Sequence, residues 1–116
     1  MNDIPKSMHA IVTNGPNDYE YKEVPVPNFE PGNILVKVAA CGICGTDTHI
    51  LGGHMRPMWP PYYPFIQGHE WCGTVAGIGK DVRKDLEIGD RVIMEPTVGC
   101  SSCAMCISGN YHLCEN

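Results

Sequence analysis

The sequence CSSCAMCISGNYHLC occupies residues 100–114 and places four cysteines within fifteen positions. Cys100, Cys103, Cys106 and Cys114 follow the pattern C-x2-C-x2-C-x7-C. Thiolates at such intervals can surround one tetrahedral Zn²⁺, which takes four sulfur ligands in closed structural sites and stabilises a loop too short to build its own core. We therefore predict a structural zinc lobe at about residues 97–115.

Two other interpretations of the four cysteines stay open. They could be ordinary thiols or two disulfides, although the chain has seven cysteines, and an odd number cannot all pair. An iron–sulfur cluster would suit two of the gaps, but the gap of seven counts against it, as does Glu115 where a bacterial ferredoxin has proline.

Outward from the lobe, the chain consists mainly of short strand-like segments. The alternation in residues 34–38, ILVKV, predicts a strand whose buried face carries Ile34, Val36 and Val38. Residues 52–68 contain four prolines, including Pro57, and are expected to form a loop without regular structure. Apolar, β-branched and aromatic runs bounded by turn residues predict strands at 8–13, 19–26, 34–40, 70–78 and 91–94, with a short helix at 47–51. This pattern predicts a mainly β fold of one domain, a compact barrel or sandwich.

The charge and hydropathy of the chain exclude several partners. Lys and Arg total 8 against 13 Asp and Glu, and the net charge of −5 gives no basic face for nucleic acid. No run approaches the roughly 20 apolar residues that span a bilayer, and the N-terminus lacks the apolar core of a secretory signal. We therefore expect no nucleic-acid or membrane partner and a cytoplasmic location.

A second set of metal-ligand residue types precedes the lobe. Residues 41–49 read CGICGTDTH, and residues 68–70 read GHE. Cys, His and carboxylate side chains are the ligands of catalytic zinc, which keeps one coordination position open for water or substrate. Each motif alone is weak evidence for a metal site, because a single C-x2-C or His-Glu pair is common in proteins.

Together with the lobe, these motifs resemble the zinc-dependent medium-chain dehydrogenases, which include alcohol, sorbitol and threonine dehydrogenases. The resemblance extends from the strand at Met8 through GHE and the GDRV of residues 89–92 to the four cysteines. It implies a GroES-like, partly open β-barrel. It also implies that residues 1–116 are the N-terminal part of the catalytic domain of a longer enzyme that is inactive without the rest.

The resemblance assigns a role to each matching residue. It makes Cys44 and His69 ligands of the catalytic zinc and Glu70 a direct or intermittent ligand. It makes Asp47 the carboxylate that accepts a hydrogen bond from a ligating imidazole. Thr46 would hydrogen-bond the substrate alcohol, and His49 would pass the proton of that alcohol towards solvent. The structural zinc ligands would be Cys100, Cys103, Cys106 and Cys114.

The resemblance further implies two zinc ions per complete subunit, a homo-oligomer, and oxidation of a small alcohol or polyol with hydride transfer to NAD or NADP. The motifs look nearer to polyol and threonine dehydrogenases than to liver-type alcohol enzymes. No cofactor-binding residue is expected in the 116 residues, because Gly77-Ile78-Gly79 lacks the third glycine and the helix of a Rossmann fingerprint. The Rossmann domain and the remaining zinc ligand are expected beyond position 116. A non-enzymatic zinc module that binds a partner protein is the alternative.

The cysteines and histidines that have no role in the two predicted zinc sites are not expected to take part in chemistry. Cys41 and Cys72 are expected to be small buried thiols that pack in the core. His9, His54 and His112 are expected to face solvent.

Overall fold

The computed structural model describes residues 4–55 and 59–116 as a mainly β protein, which confirms the predicted fold class. Residues 56–58, among them Pro57, lie outside the described residues. The elements are β1 (Ser7–Gly15), β2 (Asp18–Pro25), β3 (Ile34–Cys41), α1 (Gly45–Leu51), β4 (Phe65–Ile66), β5 (Trp71–Ile78), β6 (Arg91–Ile93), α2 (Ala104–Ile107) and a 3-10 turn (Tyr111–Leu113).

The strands form two antiparallel sheets of three strands each. The first sheet has the order β2-β1-β4, and the second has the order β3-β5-β6. The chain passes from the first sheet to the second between β2 and β3, and again through residues 67–70, between the end of β4 and the start of β5. We call these four residues the crossover. Neither sheet closes on itself within the described residues, so the barrel is open.

Helix α1 is held at its end by the turn between β1 and β2. The backbone N–H of Asn17, which has φ 59°, donates to the carbonyl of Leu51 at 2.6 Å. A Cβ added to Gly53 would lie 2.8 Å from Cγ of Pro16, so only glycine allows the turn to approach this closely. The helix that follows β3 is thereby fixed to the first sheet.

The apolar core of the described residues is small. Its buried apolar side chains are Val12 of β1, Ile50 of α1, Val75 of β5 and Pro60 of the loop between α1 and β4. Thr13 and Asp47 are the buried polar residues. Two of the six buried side chains of the described residues are therefore polar, and each needs a hydrogen-bond partner.

Three sequence-based expectations about packing and loops were wrong. Val38 was expected on a buried face of β3 but is 52% exposed, because register shifts between Leu35 and Val36 and between Val38 and Ala40 break the strict alternation. Cys41 and Cys72 are exposed and not buried, because they lie where β3 and β5 pair at the margin of the second sheet. The proline-rich loop contains β4, whose two residues pair with β1.

No helix in the described part of the chain is long and apolar enough to cross a membrane.

Gly73 tests the close pairing of β3 and β5. A Cβ at this position would overlap the carbonyl oxygen of Lys37 and lie 2.7 Å from Cγ1 of Val36. We expect Gly73→Ala to lower the free energy of unfolding by about 1–3 kcal/mol, as overpacking does. Gly15→Ala is the control, because no atom lies within 4 Å of its added Cβ, and its effect should stay within about 0.5 kcal/mol. Urea unfolding of both variants measures the difference, and equal losses would contradict this packing.

Candidate metal centres

The crossover carries two of the predicted metal ligands, His69 and Glu70. Gly68, just before them, has φ +116°, a conformation that favours glycine. A Cβ there would lie 3.0 Å from Sγ of Cys41. At the other end of the crossover, the N–H of Gly42 donates to the carbonyl of Glu70 at 2.7 Å. The path of the crossover is thus tied to the residues that follow β3.

The third predicted ligand, Cys44, is the N-cap of α1. The backbone N–H of Cys44 donates to Oδ2 of Asp47 at 2.8 Å. The side chain of Cys44 in turn faces the backbone of Asp47, so the two residues form a capping box. The carboxylate of Asp47 therefore fixes the point at which the chain enters the helix. This places Cys44 beside the crossover.

The structure brings the three predicted ligands together. One ligand atom each from Cys44, His69 and Glu70 lie within 4.8 Å of one another. Cys44 and His69 are half-buried, while Glu70 is exposed. We call this group the first cluster. A thiolate, an imidazole and a carboxylate at such distances match the ligand types of a zinc site with three protein ligands.

A buried carboxylate oxygen supports this fit. Oδ1 of Asp47 lies 3.6 Å from Nδ1 of His69, within ion-pair range but beyond hydrogen-bond length. The same oxygen is buried and has no hydrogen-bond partner among the described residues. Leaving a carboxylate oxygen in this state is costly. A metal ion on the far nitrogen of His69 would place a proton on Nδ1 and positive charge beside this oxygen, so the residues present fit the ion.

The second cluster is the cysteine lobe. The sulfurs of Cys100, Cys103, Cys106 and Cys114 all lie within 4.8 Å of one another. Helix α2 begins after Cys103, whose Sγ accepts the N–H of Cys106 at 3.5 Å. No disulfide joins any of the seven cysteines, all of which are in the described ranges. The sulfurs of Cys100 and Cys106 lie 4.0 Å apart, about twice the length of a disulfide bond.

Hydrogen bonding and burial give three of the lobe thiols different pKa values. Donation from the side chains of Ser102 and Asn116 lowers the pKa of Cys100 to about 5. Backbone donors, that of Glu115 foremost, lower the pKa of Cys103. Loss of water contact raises the pKa of Cys106 to about 11. Four thiolates this close would repel one another, so the lobe needs a bound cation to ionise fully, and its all-sulfur donor set suits zinc.

Comparison with known proteins places this geometry in a family. The model of the alcohol dehydrogenase GroES-like domain matches residues 30–116. The chain belongs to the alcohol dehydrogenase GroES-like domain family. This confirms the resemblance that the sequence motifs indicated.

Proteins similar to this chain are named as dehydrogenases. An erythritol/L-threitol dehydrogenase of Mycolicibacterium smegmatis is 37% identical over 98% of the chain, and a sorbitol dehydrogenase of Bacillus subtilis is 37% identical over 97%. A crystal structure of a putative zinc-binding dehydrogenase from Sinorhizobium meliloti, bound to NADP, matches 97% of the chain with a TM-score of 0.81 and 38% identity. The chain spans 34%, 32% and 31% of these proteins, respectively, which is about a third of their length.

The remaining predicted residues of this GroES-like domain lie along α1. Thr46 is half-buried, and the thiol of Cys44 donates to its hydroxyl at 3.7 Å, so Thr46 borders the first cluster. His49 is exposed on the next turn, and its ring meets that of His54 edge-on with centroids 5.7 Å apart. His54, expected to face solvent, is exposed. Helix α1 thus presents Cys44, Thr46 and His49 in sequence from the cluster towards solvent.

Asp47→Asn tests the role of the carboxylate beside His69. The change keeps the size of the side chain but removes its charge, so we expect metal affinity at the first cluster to fall about 10–100-fold, as when partners of a ligating imidazole are lost. The lobe should keep its metal. Metal content per chain, measured after dialysis against a competing chelator, reports both sites. Asp85→Asn, which changes an exposed carboxylate paired with Arg83 at 2.5 Å, is the control. Equal metal retention in the two variants would show that Asp47 does not support the cluster.

Cys103→Ser tests the lobe. Zn²⁺ bound by four sulfurs contributes directly to folding energy, so we expect this variant to lose one zinc per chain and to melt at a lower temperature. Cys72→Ser, at an exposed position of β5, should keep all its metal. Elemental analysis and thermal unfolding make the comparison. A brown protein with visible absorption would instead indicate an iron–sulfur cluster.

Proposed function

We propose that the protein is a zinc-dependent oxidoreductase that oxidises an alcohol or polyol to a carbonyl compound, with hydride transfer to NAD or NADP. The observation that carries this proposal is the first cluster, in which Cys44, His69 and Glu70 offer three different ligand atoms within 4.8 Å. The dehydrogenase names of the relatives favour this function over a non-enzymatic zinc module. A module that uses only the lobe would have no need of a second, chemically mixed cluster.

Cys44 and His69 would hold the catalytic zinc, and Asp47 would orient His69 through its Nδ1. Glu70 has the most exposed side chain of the three ligands, and it would join or leave the coordination sphere as substrate or water enters. When bound, zinc supplies a Lewis acid that helps an alcohol to lose its proton, and the nicotinamide supplies a hydride acceptor.

Thr46 and His49 would handle the proton of the substrate hydroxyl. The hydroxyl of Thr46 lies 3.7 Å from Sγ of Cys44, at hydrogen-bonding reach of a small molecule seated beside the cluster. His49 follows on the exposed side of α1, where an imidazole can pass a proton to water. The proton would therefore move along α1, from the half-buried Thr46 to the exposed His49.

The cofactor and the wider assembly belong to the same proposal. NAD or NADP would bind a Rossmann domain outside these 116 residues, as the likeness to an NADP-bound dehydrogenase supports. The four lobe cysteines would hold the second, structural zinc. The substrate would be a polyol or a related small alcohol, because the similar sugar-alcohol dehydrogenases cover almost the whole chain. Assembly into a homo-oligomer and a cytoplasmic location remain predictions from the sequence.

Replacing Cys44 tests the proposed reaction. The full-length protein is assayed for reduction of NAD⁺ and NADP⁺ with sorbitol, erythritol and simple primary alcohols. We expect Cys44→Ser to lower kcat/KM by about 100-fold or more, because the site loses the ligand that holds its Lewis acid. Cys72→Ser is the matched control and should retain activity.

Two results would contradict the proposed function. One is full activity in Cys44→Ser. The other is a zinc-loaded wild-type protein that oxidises none of these substrates with either cofactor while its lobe alone holds metal.

A further inference from the structure

The crossover needs anchors on both sides because of Gly68. Glycine populates positive φ as readily as negative φ, so Gly68 allows the turn into His69 without fixing it. On the downstream side, the bond from Gly42 to the carbonyl of Glu70 holds the chain. On the upstream side, β4 has only two residues, which pair with Val12 and Thr13. A pairing of only two residues restrains the position of the crossover, which carries a metal ligand, only weakly.

A buried hydroxyl adds a second restraint on the upstream side. The side chain of Thr13 is fully buried, with 0% exposure, and its hydroxyl donates to Oε1 of Gln67 at 3.3 Å. Gln67 is the first residue of the crossover and stands two positions before His69. Valine would fill the same space in β1 without a polar group, so packing alone does not call for a hydroxyl here.

We propose that Thr13 is a positioning residue for the first cluster, acting through Gln67 to hold His69 beside Cys44. The inference rests on the proposed function, in which His69 is a metal ligand. The physical reason is that Gly68 leaves the turn free to rotate. The position of His69 then depends on what holds residues 67 and 70, and Thr13 supplies the side-chain hold at residue 67.

Cobalt binding to the full-length protein tests this proposal without reference to activity. Co²⁺ replaces zinc, and its visible d–d bands report the geometry of the first cluster, while the lobe serves as an internal reference. We expect Thr13→Val to weaken Co²⁺ at the first cluster about tenfold and to shift these bands, leaving the lobe unchanged. Thr13→Ser keeps the hydroxyl and should restore most of the affinity and the original spectrum. Thr74→Val makes the same exchange at a half-buried position of β5 and should change neither.

Gln67→Met keeps the test decisive even if Thr13→Val does not fold. It removes the acceptor from a half-buried position, and we expect the same tenfold loss. The double variant should then be no weaker than either single variant, because both remove one interaction.

The possible failures are distinguishable. A wild-type protein that binds two metals, with unchanged affinity and spectrum in Thr13→Val or Gln67→Met, would overturn the positioning role and leave the proposed function intact. A wild-type protein that binds metal only in the lobe would overturn both.

Discussion

The two oxygens of the Asp47 carboxylate connect the local fold to the first cluster. Oδ2 accepts the N–H of Cys44 at 2.8 Å and so sets the start of α1, while Oδ1 lies buried 3.6 Å from the imidazole of His69 without a hydrogen-bond partner in the described chain. One side chain thus places a thiol at the start of α1 and faces an imidazole of the crossover. Because a buried anionic oxygen must be compensated, the fold at this point calls for positive charge on the His69 side.

The two clusters differ in which parts of the chain supply their ligands. The lobe gathers four sulfurs within one short segment, 100–114, with hydrogen bonds from its own backbone, so it forms a closed site of local origin. The first cluster draws Cys44 from the start of α1 and His69 and the exposed Glu70 from the crossover. Its geometry therefore depends on how α1 and the crossover are held together, and its three protein ligands would leave a fourth tetrahedral position for another ligand. A closed site suits structure, and an open one suits reaction.

Much of this arrangement could be predicted from the sequence, because its signals are local. Apolar, β-branched and aromatic runs bounded by turn residues placed β1, β2, β3, β5 and β6 to within two residues at each end, and cysteine spacing located the lobe. Long-range features left no such signal. The bulges of β3, which expose Val38, depend on the register with β5, and β4 exists only because Thr13 and Val12 pair with it. The bond from Thr13 to Gln67 spans 54 positions, and no spacing rule indicates it.

The most direct test of this account is the anomalous scattering of the zinc-loaded full-length protein at the zinc absorption edge. Two peaks per chain are expected. One should lie about 2.3 Å from Sγ of Cys44 and about 2.0–2.1 Å from a nitrogen of His69, and the other should lie at the centre of the four lobe sulfurs at about 2.3 Å from each. A single peak in the lobe, with Cys44 and His69 free of metal, would contradict the claim that the first cluster is a metal site.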